Sequence, residues 1–447
     1  MRDKYNKYEY YNNRYKLKKG DNMDYLEVGY EPKDNELLSC MIVKAENLEK
    51  AANDIAGESS IGTWTELKTM KSEVYEKLRP KVYEIKEIGS EGNNKIGLVK
   101  IAYPLDDFEP NNMPGTLAGI AGNIFGMKYL KGLRILDFRF PKEFIDCYSG
   151  PKYGIKGIRN LLNVKERPLV GTIVKPKVGL NSEEHAKVAY NSWVGGCDIV
   201  KDDENLVSQD FNKFEDRLYK VLEYRDKAES ETGEKKIYMP NITAPYREMV
   251  RRAELVEDAK CEYAMIDVVV LGFSAVQQIR EEGFDFVIHA HRAMHAAITR
   301  SKEWGISMLA LAKIYRLLGV DQLHIGTVVG KMEGVKEEVC SIRDEIVLED
   351  VEKDDKYKFF DQKWYGLNNV FPVSSGGVYP KLVPEIVNIF GKDVIIQAGG
   401  GIHGHPDGTV AGARAMRASI EAAAEGIPLS EKAEEVPELK KALEYWK

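Results

Sequence analysis

The chain has 447 residues, 43% of them hydrophobic and 30% charged, with a formal net charge of -7 and a pI near 5.8. This composition supports a large core and excludes a disordered chain. The acidic balance argues against a nucleic-acid binder, and neither a membrane span nor a signal peptide is legible, so a cytoplasmic protein is expected.

Residues 1–22 are polar, basic and rich in tyrosine, with no apolar period. They read as a loose, dispensable arm. Met23 opens a first strand-like run, "MDYLEVGYEP". Residues 23–145 mix further strand-like runs ("LLSCMIVKA", "VYEIKEIG", "KIGLVKIAYP", "LRILDFRFP") with two helical ones ("NLEKAANDIAGES", "LAGIAGNIFG"). They predict a small α+β domain of ferredoxin-like type.

Residues 146–430 read differently. Eight short apolar runs, "LVGTIVKPK", "CDIVKDDE", "IYMPNITA", "YAMIDVVVLG", "FDFVIHAHR", "DQLHIGTVVG", "VFPVSSGG" and "DVIIQAGGG", are separated by helical patterns such as "SEEHAKVAYNSW", "YREMVRRAELVEDA" and "MLALAKIYRLLG". Strands buried on both faces look like this. Eight such units predict an α/β fold with a (β/α)8 TIM barrel. Residues 431–447 read as a charged helical tail. Five cysteines, Cys40, Cys147, Cys197, Cys261 and Cys340, are scattered, odd in number and without a CxxC pair, as expected of reduced thiols.

In a barrel the chemistry lies at the C-terminal ends of the strands. Strand one ends in Lys175 and Lys177, which share a face by alternation. Strand two ends in Lys201, with Asp202, Asp203 and Glu204 behind it. Strand five ends in His289, His291, Arg292 and His295. His324 lies on strand six, with Lys331 in the glycine-flanked loop after it. Ser375, Gly376 and Gly377 follow strand seven; Gly399, Gly400 and Gly401 follow strand eight. The glycines expose backbone N–H groups to a phosphate. Arg292 and His324 are candidates for a second anion. Asp203 and Glu204 suit Mg²⁺. Lysines among these groups point to acid–base work on carbon, or to a Schiff-base aldolase with Lys201 as nucleophile.

The motifs "GTIVKPKVGL", "GGCDIVKDDEN", "HAHRAMHA", "HIGTVVGKMEG", "PVSSGG" and "QAGGGIHGHP", with "GESSIGTWTE" and "GNIFG" upstream, resemble the large chain of ribulose-1,5-bisphosphate carboxylase/oxygenase (RuBisCO). The short C-terminal end and "YMPNITAPYREM" resemble its archaeal form III branch. The resemblance implies carboxylation, and side oxygenation, of ribulose 1,5-bisphosphate to 3-phosphoglycerate, in AMP or nucleoside salvage.

It also implies that Lys201 takes up a non-substrate CO₂ as a carbamate. That group joins Asp203 and Glu204 on Mg²⁺ and serves as the base at carbon 3. Lys175 protonates the final carbanion with Lys177 in support, His291 moves hydroxyl protons, and Lys331 holds the incoming CO₂. One phosphate meets Thr63, Trp64, Gly377, Gly399 and Gly400. The other meets Arg292, His324 and Ser375, with Gly376 in the same turn. Glu58, Thr63, Trp64 and Asn123 complete the partner's site in a homodimer, which higher assemblies can contain. No small subunit, nucleic acid or membrane partner is implied. The rival readings are a RuBisCO-like enolase or isomerase of methionine salvage and a non-catalytic sensor of phosphate ligands.

Overall fold

The computed structural model describes residues 24–63, 65, 67–329 and 336–446. The arm 1–22, Met23, Trp64, and Lys331 with Gly330 and Gly334 lie outside the described residues. The chain forms two compact units that part between Arg134 and Ile135.

In the first unit β1 (Glu36–Ala45) and β2 (Lys81–Glu91) both pair antiparallel with β3 (Asn94–Pro104). Gly92, at φ 59°, makes the tight turn between β2 and β3. The helix Leu48–Glu58 is capped by the Asn47 side chain and buries Leu48, Ala51, Ala52 and Ile55. That spacing is one face of a helix. The run after Met23 forms no strand among its described residues; it contributes an isolated bridge, Leu26 to Val82. The helix expected over "LAGIAGNIFG" instead spans Met113–Ala121 and is followed by a 3-10 turn, Ile124–Gly126. Asn112 caps it with Pro114 in the first turn, a start signal that precedes the apolar run. A further helix, Ser72–Leu78, buries none of its residues.

The strand β4 (Gly132–Arg139) carries the chain across the division. In the second unit the barrel strands are β5 (Leu169–Ile173), β6 (Ile199–Lys201), β7 (Ile237–Met239), β8 (Tyr263–Asp267), β9 (Val287–His291), β11 (Gln322–His324), β14 (Phe371–Ser375) and β15 (Ile395–Gln397). The short strands β10 (Trp304–Ile306), β12 (Asp350–Val351) and β13 (Gln362–Lys363) lie outside it. The strand order is β7-β6-β5-β15-β14-β11-β9-β8. A parallel bridge between Asn241 and Met265 joins the last strand to the first, with Ile242 N–H donating to Met265 O at 3.0 Å. The expected eight-stranded parallel barrel is therefore present and closed.

Its interior holds Leu169, Ile199, Ile237, Met265, Val373 and Ile395, together with Ile155, Ile158 and Leu162 from the helix Gly154–Leu162. That helix precedes β5 and packs its apolar face on the barrel core, leaving the strand C-termini for polar groups. Among the described residues no helix is long and apolar enough to cross a membrane.

Candidate active site

The C-termini of β5, β6 and β9 bring six of the expected residues together. Lys201 is the last residue of β6 and is 1% exposed. Its Nζ donates to Asp202 O at 2.9 Å and to Met265 Sδ at 3.4 Å, and lies 3.9 Å from Glu204 Oε2. Burial pulls the Lys201 ammonium below its usual range, and the carboxylates of Glu204, Asp203 and Asp267 oppose that shift. Lys175 Nζ donates to Asp203 Oδ2 at 2.7 Å. Lys177 Nζ stands 3.6 Å from Glu204 Oε1. The strand β5 ends at Ile173, so both lysines reach the carboxylates from the loop and not from the pleat. Asp203 is buried and held below the usual carboxylate range; burial opposes this, while hydrogen bonds from Lys175 and Asn205 produce it.

Asp202 faces the other way. Its carboxylate accepts from Tyr238 OH at 2.8 Å, from Arg217 Nε at 3.0 Å and from Asn241 N–H at 2.9 Å, and His185 Nε2 lies 3.1 Å away. Of the three acids after Lys201, only Asp203 and Glu204 face the site. Alternation turns Asp202 away from Lys201 and Asp203, and Glu204 rejoins them from the turn that follows.

His291 Nδ1 donates to Asp267 Oδ1 at 3.0 Å, because an ionised carboxylate only accepts. Its Nε2 is left facing Glu204 Oε2 at 3.7 Å. Asp267 ends β8 and Asn241 follows β7. The Asn241 amide donates to the backbone oxygens of Glu204 at 3.3 Å and Asp203 at 3.5 Å. Neither residue was singled out from the sequence. An acid closing the apolar run "YAMID" was the available signal for Asp267.

A second chain of hydrogen bonds runs deeper. Gln322 Oε1 accepts from His289 Nδ1 at 2.8 Å. His289 Nε2 must then accept from His324 Nε2 at 2.9 Å, and His324 Nδ1 from Ser375 Oγ at 2.7 Å. Both rings are neutral in this arrangement. Burial, the first cause, pushes His289 down to about 3 and His324 well below its usual range. With both His324 nitrogens engaged, Arg292 is the cation at this end. Among the described residues it has no ion pair, and burial lowers it to about 10. Gly326, at φ 99°, leaves room for it: a Cβ there would lie 2.8 Å from Arg292 Nη2. His295 bonds Thr299 Oγ1 at 3.0 Å, outside both clusters.

The glycines lie in the turns after β14 and β15. Gly376 and Gly377 turn the chain after β14 with φ 112° and 68°. Gly399 and Gly400 follow β15, and a Cβ on Gly399 would lie 3.0 Å from Lys175 Cε. In the first unit Asn123 Nδ2 donates to Glu58 Oε1 at 3.1 Å. Glu58 and Thr63 line a cavity of about 260 Å³ there.

Among the described residues no three His, Cys, Asp or Glu side chains converge as a metal site. Asp203 and Glu204 supply hard oxygen donors that ammonium groups already approach, so the donor set suits a dication once a third oxygen is provided. Lys201 is the side chain placed to provide it, if it becomes an anion.

Two family models match nearly the whole chain: the ribulose bisphosphate carboxylase large chain N-terminal domain over residues 24–144, and the catalytic domain of that chain over residues 154–446. A ribulose bisphosphate carboxylase of Methanocaldococcus jannaschii is 74% identical over 95% of this chain and 100% of its own length. The solved dimeric archaeal Rubisco of Hyperthermus butylicus superposes with a TM-score of 0.89 at 43% identity, covering 94% of this chain and 98% of the other. The octameric enzyme of Pyrococcus horikoshii, solved with sulfate, gives a TM-score of 0.87 at 46% identity, covering 96% and 99%. The chain thus belongs to the ribulose bisphosphate carboxylase large-chain family.

Proposed function

We propose that this chain carboxylates D-ribulose 1,5-bisphosphate to two molecules of 3-phosphoglycerate. The observation that carries the reading is the convergence of Lys175, Lys177, Lys201, Asp203, Glu204 and His291 at one mouth of the barrel. Three ammonium groups face two carboxylates there. If the Lys201 ammonium first gives up a proton, uptake of CO₂ by the neutral amine releases a second one, and a cation is replaced by an anion. Lys201, Asp203 and Glu204 would then hold Mg²⁺, which when bound supplies a Lewis acid for the sugar oxygens.

The residues divide the proton work. Lys201, as the carbamate, takes the proton from carbon 3. His291, oriented by Asp267, has Nε2 free for the hydroxyl protons. Lys175 delivers the last proton to the three-carbon carbanion, and Gly399 keeps its path clear. Lys331, outside the described residues, takes the cation's place over the incoming CO₂. Gly377, Gly399 and Gly400 grip one phosphate, with Thr63 and Trp64 from a partner chain; Arg292 grips the other, with His324 and Ser375 behind it. By family resemblance the physiological setting is nucleoside monophosphate salvage, with oxygenation as a side reaction.

The test is to incubate the protein with CO₂ and Mg²⁺, add ribulose bisphosphate and labelled bicarbonate, and look for labelled 3-phosphoglycerate. Product is expected only after joint pre-incubation, and none from Lys201→Ala. Full activity from the first moment of the assay, after pre-incubation in CO₂-free, chelated buffer, overturns the carbamate. Lys331→Ala should lose carboxylation by at least about a hundredfold, the scale for one preorganised charge-stabilising group, yet still exchange the carbon 3 proton. Parallel loss of both would assign Lys331 to binding or enolisation instead.

A further inference from the structure

The two glycine turns abut with almost nothing between them. A Cβ on Gly401 would lie 2.1 Å from Val378 O and 2.8 Å from Tyr379 Cα. The helix Thr409–Glu425 backs both turns. A Cβ on its Gly412 would lie 1.9 Å from Ile402 O, and Ser419 Oγ donates to Pro380 O at 2.7 Å. On this helix pack the chain's last helices, Leu429–Glu435 and Pro437–Tyr445, through Ala433, Leu439 and Ala442. They deliver Trp446 back to the turns.

The Trp446 ring touches one residue from each turn. Its centroid is 5.9 Å from that of Tyr379, two residues past Gly377. It is 6.3 Å from that of His405, just past the Gly400–His403 helix, in an edge arrangement. Its Cζ2 would be 3.8 Å from a Cβ on Gly404. His405 is itself fixed. Nδ1 accepts from Asp407 N–H at 3.0 Å, so Nε2 donates to Glu438 O at 3.0 Å. Trp446 N–H donates to Ala442 O at 3.0 Å, which ends the last helix in place.

We propose that Trp446 is a positioning residue for phosphate binding: by packing on Tyr379 and His405 it locks the turn after β14 against the turn after β15, so that Gly377, Gly399 and Gly400 present one fixed set of N–H groups to the dianion. This rests on the phosphate grip proposed above. Backbone donors hold an anion well only when their spacing is set before it arrives. Glycines cannot set it themselves, since they have the most conformational freedom to lose. The chain end supplies the rigidity from outside the site and touches no reacting atom.

The test measures KM for ribulose bisphosphate, kcat, and the inhibition constant of inorganic phosphate on the activated full-length enzyme. Trp446→Ala should raise KM and weaken phosphate inhibition by about tenfold, within the range for loosening a positioned site, with kcat changed less than about twofold. Trp446→Phe should recover most of the loss. Tyr379→Leu should reproduce the KM effect, and serves alone if Trp446→Ala does not fold. Wild-type KM and phosphate inhibition in a folded Trp446→Ala or Tyr379→Leu enzyme overturn the proposal. So does a fall in kcat and active fraction with KM unmoved, which marks a purely structural role. If the wild-type enzyme itself does not turn over ribulose bisphosphate, the functional reading fails first and this inference with it.

Discussion

Asp202 and Asp203 are adjacent and both buried, and they do opposite jobs. Asp202 is the counter-ion of Arg217, whose side chain is 0% exposed. Asp203 is paired with Lys175, whose side chain is 28% exposed and can be rehydrated. Asp202→Asn should therefore destabilise the fold by about 3–5 kcal/mol, the cost of stranding a buried charge. Asp203→Asn should cost about 1 kcal/mol or less, as for a partly solvated pair, yet abolish carboxylation. Thermal melts and turnover on both variants check this; equal loss of melting temperature would mean that Asp203 is also structural. Residue type and strand position were enough to single out Lys201, Asp203 and Glu204. They could not show that Asp202 is spent on Arg217, because Arg217 lies on the following helix and nothing in "KDDE" encodes that contact. The same holds for Met265 against Lys201 and for Asn241 beneath Glu204. Asn241 follows β7, the strand paired with β6, and Met265 lies on β8, at the far end of the strand order, and meets the site only once the barrel is closed.

At the scale of elements, the barrel strands and their helices were legible because burial on both faces leaves an apolar run, and because cap residues mark the starts. Asn181 caps the helix Ser182–Val194 with a full capping box, and Ser307 caps Met308–Leu317. The helix Ser72–Leu78 escaped because it buries no side chain and so carries no apolar stripe. The helix Lys336–Val347 shows a cost that periodicity hides. Its Glu345 meets Lys313, which also donates to Asp137 Oδ1 at 2.7 Å, and all three side chains are 0% exposed. Burial pushes both carboxyls up and Lys313 pulls them back. Lys313→Met leaves two acids in the core without their cation and should cost about 3–5 kcal/mol, read as a lower unfolding midpoint in denaturant.

His403 links stability to pH. Thr172 Oγ1 donates to Ala398 O at 2.7 Å, so it accepts from His403 Nε2 at 3.1 Å. Burial, then Lys175, holds the imidazole down at about 4, from an ordinary 6.5. Between those values the unfolded chain binds a proton that the folded chain refuses. The stabilisation is complete above 6.5 and is lost as pH falls towards 4, by about 1.4 kcal/mol per unit. His403→Gln should show a smaller drop in melting temperature than wild type between about pH 7 and about pH 5. An unchanged drop would mean that His403 protonates freely in the fold.

At the scale of the whole molecule, each unit carries its own set of the residues proposed for the site. Lys201, Asp203 and Glu204 stand on the barrel, whereas Glu58 and Asn123 are bonded to each other in the first unit. Sequence motifs identified both sets, because each is a short run with its own signature. Which copy of the chain completes which site is not written in any run; the partner-completed site proposed above rests on family resemblance alone. If the first unit of one chain completes the barrel of another, two different lesions must complement. Glu58→Gln alone and Lys201→Met alone should each give an inactive enzyme. Co-expressed in equal amounts, they form mixed dimers in which one of the two sites carries both lesions and the other carries none. Random pairing makes half of the dimers mixed, so about a quarter of wild-type activity should return in a closed two-fold assembly. The recovered activity should sediment with the dimer or a larger assembly and never with a monomer. If co-expression restores nothing while both variants fold and associate, each chain completes its own site, and the dimer has another purpose.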